Sequence, residues 1–167
     1  MDQERLIICN TSPLINLAEI DLLEVLETLP GVVCIPPGVR DEVVAKSGLF
    51  AKAAGLVESG RIQVFPPTDI LLVKSLSATL HRGEAECLAL SMERPGSILI
   101  LDDLAARAMA SANGLSFTGT LGLLASAKAR GRIAALAPAI HDLRTRARFW
   151  INSELERELL LEAGESE

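Results

Sequence analysis

Tyrosine is absent from this 167-residue chain, and aromatic residues make up only 3% of it. A core must therefore be built from Leu, Ile, Val and Ala, and flat faces on which bases could stack are scarce. Any nucleic acid would be held by its backbone. No apolar run approaches the roughly 18 residues that a membrane span needs, and the charged start Met1-Asp2-Gln3-Glu4-Arg5 is unlike a secretory signal. The expectation is a cytoplasmic protein with no membrane partner. Cysteine is sparse too: Cys9, Cys34 and Cys87 are odd in number and form no Cys-x-x-Cys pair. That argues against a disulfide framework and a zinc knuckle, and favours core packing for all three. Neither a Gly-x-x-x-x-Gly-Lys phosphate loop nor a Gly-x-Gly-x-x-Gly fingerprint follows the first apolar run, so nucleotide binding of those kinds is not indicated. His81 and His141 have no neighbouring nucleophile of the triad type.

What is present is a chain 49% hydrophobic, long enough for one substantial core and too short for two. The division read from it is a domain over 1–150 and an acidic helical tail over 151–167. Net charge is −6, unevenly spread. Residues 154–167 carry six acids and one base, a local −5, and the rest of the chain is nearly neutral. Between 128 and 148, six cations (Lys128, Arg130, Arg132, Arg144, Arg146, Arg148) face the single acid Asp142. Such a stretch could meet phosphate or an acidic surface, or could be a solvated helix face paired with the acidic tail.

Short apolar runs bounded by turn formers predict five strands, at Leu6–Cys9, Val32–Ile35, Arg61–Phe65, Ile98–Leu101 and Leu115–Thr118. Helix-period stretches lie between and after them, at 13–29, 37–46, 49–59, 67–80, 83–93, 103–113 and 120–131. Ser12 is the expected N-cap of the first, with Pro13 at its first position. Strands such as Leu6-Ile7-Ile8-Cys9 do not alternate polar with apolar, so both faces of the sheet should be covered. The predicted class is α/β: three layers, α/β/α, around a mainly parallel five-stranded sheet. Residues 139–163 read as one or two further helices, in which Phe149 and Trp150 are expected to cap the core rather than form a docking patch.

Chemistry concentrates where strands or loops hand over to helices. Asn10-Thr11-Ser12 follows the first strand; Glu42 and Glu84 stand near the starts of two helices; Asp102 and Asp103 emerge together after the fourth strand. Each has a plain structural account in turn formation, a helix cap or a first-turn acid. One of the two adjacent aspartates exceeds what a cap needs, although Arg107 could pair with Asp103 along the helix. Gathered on one rim of a parallel sheet, these carboxylates would repel one another unless a divalent cation neutralised them. A phosphotransfer site is disfavoured, because the first strand ends in Asn10 and offers no aspartyl nucleophile.

The segments Ile8-Cys9-Asn10-Thr11-Ser12-Pro13-Leu14-Ile15, Ile35-Pro36-Pro37-Gly38-Val39, Arg82-Gly83-Glu84-Ala85-Glu86, Leu99-Ile100-Leu101-Asp102-Asp103-Leu104-Ala105-Ala106-Arg107 and Thr118-Gly119-Thr120-Leu121-Gly122 together resemble the PIN-domain nucleases, in a prokaryotic branch related to VapC toxins. The resemblance covers roughly residues 5–150 and rests on motif order and spacing. It implies a PIN-like fold and a metal-dependent ribonuclease acting on single-stranded RNA, often the toxin of a toxin–antitoxin pair. The ion would be Mg²⁺ or Mn²⁺. Carried over, the family's acids fall on Asn10, Glu42, Glu84 and Asp103 or Asp102, its polar residue beside the first acid on Thr11 or Ser12, and a substrate-facing hydroxyl on Thr120. Glu42, Glu84, Asp102 and Asp103 are the implied metal ligands, and an antitoxin protein and a second copy of the chain the implied partners. The departure is Asn10, where the family generally carries Asp; one charge fewer implies weaker metal binding and leaves open a catalytically silent PIN-fold binding module.

Overall fold

A computed structural model of the chain describes residues 4–46, 48 and 50–165. Five strands form one sheet: β1 (Leu6–Cys9), β2 (Val32–Ile35), β3 (Gln63–Val64), β4 (Ile98–Ile100) and β5 (Phe117–Thr118), in the order β3-β2-β1-β4-β5 and parallel throughout. The two central strands, β1 and β4, carry the apolar runs without alternation, and Ile8, Cys9, Leu99 and Ile100 are fully buried. Helices therefore flank the sheet to give the α/β/α layering. They are α1 (Thr11–Glu19), α2 (Pro37–Ala45), α3 (Ala51–Glu58), α4 (Ile70–Leu76), α5 (Arg82–Glu93), α6 (Leu104–Ala112), α7 (Thr120–Ala129), α8 (Leu136–Thr145) and α9 (Ser153–Glu162).

From β1 the chain moves outward to β2 and β3, then returns across the centre to β4 and continues to β5. The order thus reverses between β1 and β4, whose carboxyl ends define the crevice where open α/β sheets receive ligands. Asn10 follows β1 and Asp102-Asp103 closely follows β4, so the sequence motifs flank that point.

Several local expectations differ from the structure. The periodic stretch 13–29 is not one helix: α1 stops at Glu19, and a separate 3-10 helix covers Leu23–Thr28. Asp21 adopts a left-handed backbone, φ 59°, held by ion pairs to Lys52 and Arg146. Aspartate tolerates that conformation, so no glycine marks the break. Asn10, not Ser12, is the N-cap of α1, and Pro13 therefore sits at the third helical position. Strands β3 and β5 shrink to two residues each, as edge strands often do. The predicted onset of α3 at Leu49 lies outside the described residues. Arg107 does not pair with Asp103; its guanidinium lies 5.3 Å from the centre of the Phe117 ring. Trp150 is 81% exposed and caps no core, whereas Ile151 beside it is buried and Phe149 half-buried. The three cysteines are buried, and burial pushes the Cys34 thiol up to about 12, which makes a poor nucleophile of it.

Candidate active site

Helices α2 and α5 cross closely because each presents a glycine to the other. A Cβ on Gly83 would stand 3.0 Å from Glu42 Oε1 and 3.2 Å from Val39 Cγ2, and one on Gly38 3.0 Å from Glu86 Oε2. Glu86, nearly buried, fixes the crossing: its Oε2 accepts from Gly38 N at 2.6 Å, and its Oε1 from Arg82 Nε at 2.7 Å. Arg82 Nη1 reaches on to Asp41 Oδ2 at 3.1 Å. This clamp sets Glu42 of α2 beside Glu84 of α5.

A cleft of about 470 Å³ opens there, and Asn10, Thr11, Ser12, Glu42 and Glu84 line it together with Lys46 and Arg82. Asp102 and Asp103 stand outside that lining, yet Asp103 is close enough for its charge to act on Glu84. Thr11 donates its hydroxyl to Glu42 Oε2 at 2.7 Å. Glu84 Oε2 accepts from the His81 backbone N–H at 3.0 Å. Asp103 is the N-cap of α6, its Oδ1 accepting from Ala106 N at 2.9 Å. Each of these three carboxylates thus has one oxygen oriented by a neighbour, and the other, Glu42 Oε1, Glu84 Oε1 or Asp103 Oδ2, takes no hydrogen bond from a described residue.

Asp102 is different. Its Oδ1 accepts from Thr120 N at 2.8 Å, and its Oδ2 from the Thr120 hydroxyl at 2.6 Å and Asn16 Nδ2 at 2.8 Å. Thr120 is fully buried, and Gly119 leaves room for the carboxylate, since a Cβ there would meet Asp102 Oδ1 at 2.9 Å. Asp102 therefore ties α1 and α7 together at the end of β4. Asn10 is 3% exposed; its backbone N–H donates to Ile100 O at 3.1 Å, while its amide is in no hydrogen bond with a described residue.

The electrostatics match this crowding. Glu84 is held above the usual carboxylate range, first by burial and then by repulsion from Asp103 and Glu42, with the His81 N–H opposing. Among the described residues, no three Asp, Glu, His or Cys side chains stand assembled as a metal-holding group. The donor set is nonetheless oxygen-only and anionic, the chemistry hard divalent ions take.

Sequence reasoning gave no role to Asn16, Lys46, Arg82 or Glu86, although Arg82 and Glu86 stand in a segment that carries the family resemblance. Asn16 carried a signal, a lone amide among Leu14, Leu17 and Ala18 on the buried face of α1. Glu86 carried a weaker one, its four-residue spacing from Arg82.

A family model, DUF3368, described as a PIN domain, matches residues 6–165. The chain belongs to the PIN-domain family. No curated protein and no solved structure matches it. The five-stranded parallel sheet flanked by helices is the PIN fold, and PIN domains are in general nucleases that use divalent metal ions. In this PIN domain the match runs through α9, whose last turn leads to Glu165. That carboxylate accepts from Leu136 N and Ala137 N at the start of α8, at 2.7 and 2.8 Å. No described helix is long and apolar enough to cross a membrane.

Proposed function

We propose that this PIN domain is a divalent-cation-dependent endoribonuclease of single-stranded RNA, the toxin of a VapC-related toxin–antitoxin pair, acting in the cytoplasm as a homodimer under the control of an antitoxin protein. The toxin role, the dimer and the antitoxin rest on the resemblance in motif order alone. The chemistry rests on one observation: near the crevice between β1 and β4, Glu42, Glu84 and Asp103, each positioned by a different helix, have one carboxylate oxygen that accepts no hydrogen bond from a described residue.

In this reading those three oxygens hold Mg²⁺ or Mn²⁺. When bound, the ion supplies a water of lowered pKa and polarises a phosphoryl oxygen. The chain's own residues do the rest. Thr11, His81 N–H and Ala106 N–H orient the carboxylates, a supporting shell that metal sites require. Asp102, with both oxygens engaged by Thr120 and Asn16, serves as a buttress for the rim, which favours Asp103 over its neighbour as the ligand. Glu84, whose carboxyl burial and the charges of Asp103 and Glu42 hold above the ordinary range in the metal-free protein, is the ligand whose charge a bound cation would relieve most. The Asn10 amide offers an oxygen to the ion or its NH₂ to a phosphate, but adds no charge.

Asn10 also favours a second reading, a PIN fold that binds without cutting. Cleavage of a labelled single-stranded RNA with Mn²⁺ separates the two. The wild type should cut, and Glu84→Gln/Asp103→Asn, which removes two of the three proposed ligands, should lose about 100-fold or more in rate. A double variant that cuts at the wild-type rate would refute the assignment, and a wild type that binds RNA without cutting would establish the silent module.

A further inference from the structure

Two cations share the cleft with the acids, and the nuclease chemistry above does not use them. Lys46 is the C-cap of α2, exposed, with no ion pair among the described residues; its ammonium lies 5.9 Å from the centre of the buried Phe50 ring. That contact steadies the charge without neutralising it. The helix dipole accounts for a cation at this end of α2. It does not account for one lining the same opening as Asn10 and Glu84. Arg82 is a fixed guanidinium: Nε is held by Glu86 and Nη1 by Asp41, which leaves Nη2 without a partner among the described residues on a side chain 60% exposed. A guanidinium held at Nε and Nη1 keeps Nη2 in place as a charged donor at little entropic cost, as a contact to a phosphate oxygen demands.

The cleft has no Phe, Tyr or Trp in its lining; its one ring is the His81 imidazole and its one apolar side chain Ile15, so stacking surface is small and the backbone must supply most of the contacts.

We infer that Lys46 and Arg82 form a phosphate seat, which grips a phosphodiester of single-stranded RNA next to the one set before Glu42 and Glu84. The choice of RNA rests on the nuclease reading; the seat itself needs no metal and no cleavage. Glu86 has a second role in this arrangement, since the bond that fixes the α2–α5 crossing also aims Arg82.

The test is metal-free. Binding of a fluorescent single-stranded oligouridylate to the full chain in EDTA is followed by anisotropy over a range of salt concentrations. Each phosphate contact in a single strand contributes about 0.7 to the slope of log affinity against log salt. Lys46→Ala should flatten the slope by about 0.7 and Lys46→Ala/Arg82→Gln by about 1.4, whereas Lys46→Arg should keep the wild-type slope. Because Arg82→Gln also releases Glu86, the single Lys46→Ala result stands alone if the double variant fails to fold. An unchanged slope in Lys46→Ala, or no wild-type binding at low salt, would overturn the seat. A deoxy strand should lose the same slope; a loss confined to the ribo strand would mean the pair reads the 2′-hydroxyl, and would also overturn it. RNA binding through Lys46 without any Mn²⁺-dependent cleavage would sink the nuclease reading and leave the seat standing. Cleavage with the slope unmoved by Lys46→Ala would do the reverse.

Discussion

Glu84 is where the site's electrostatic cost is most visible. Its carboxyl is buried in part and faces Asp103 and Glu42, so its pKa in the fold lies above the ordinary 4.5. An acid of this kind binds its proton more tightly folded than unfolded. The metal-free protein therefore loses stability as pH rises from the ordinary value through the folded one, and regains it on acidification. Glu84→Gln keeps an acceptor for the His81 N–H and removes the charge. In EDTA at pH 7 this variant should melt above the wild type, with the difference closing near pH 4. A lower melting temperature at pH 7 would mean that Glu84 stabilises the fold and is not under strain from its neighbours. Asp102 and Asp103 show what a sequence conveys at this scale. It was legible that one of two adjacent aspartates would cap α6 and that the other needed a reason. The reason, Thr120 and Asn16, lies 18 and 86 residues away in the chain and is visible only in three dimensions.

Between elements, the decisive contact is the crossing of α2 and α5. Most helices were readable within a few residues because apolar period, proline and glycine agreed. The crossing was not, because a glycine in a helix looks the same whether it sits in open space or against a neighbour. Gly55 in α3 has nothing within 4 Å of its would-be Cβ, whereas Gly83 has Glu42 and Val39. Gly55→Ala should therefore stabilise the protein by about 0.5–1 kcal/mol through helix propensity alone. In Gly83→Ala that gain should be cancelled or reversed by overpacking worth about 1–3 kcal/mol, with the Glu42 carboxylate displaced. Urea melts of the two variants decide it: an equal gain in both would show that α2 and α5 are not held at contact. The break in α1 was hidden for a related reason. Asp21 takes a conformation usually reserved for glycine, and its partners Lys52 and Arg146 come from far along the chain.

Across the whole molecule, the charge pattern read from the sequence resolves partly into internal pairing. Lys128 meets Glu165 and Arg144 meets Glu156, which joins the basic stretch to the acidic tail, while Arg130, Arg132 and Arg148 have no ion pair among the described residues. The parallel sheet was legible from its unalternating strands and its intervening helices, and with it the side of the molecule on which the acids would emerge. How nearly they converge was not, because that depends on helix crossings. The central claim is that Glu42, Glu84 and Asp103, without a carboxylate at Asn10, make one site for a divalent ion. Calorimetric titration of the metal-free protein with Mn²⁺ tests it most directly. One ion per chain is expected, absent in Glu42→Gln/Glu84→Gln/Asp103→Asn and bound about ten-fold more tightly in Asn10→Asp, a gain of about 1.4 kcal/mol. No binding by the wild type at millimolar Mn²⁺, or binding undiminished in the triple variant, would contradict the account.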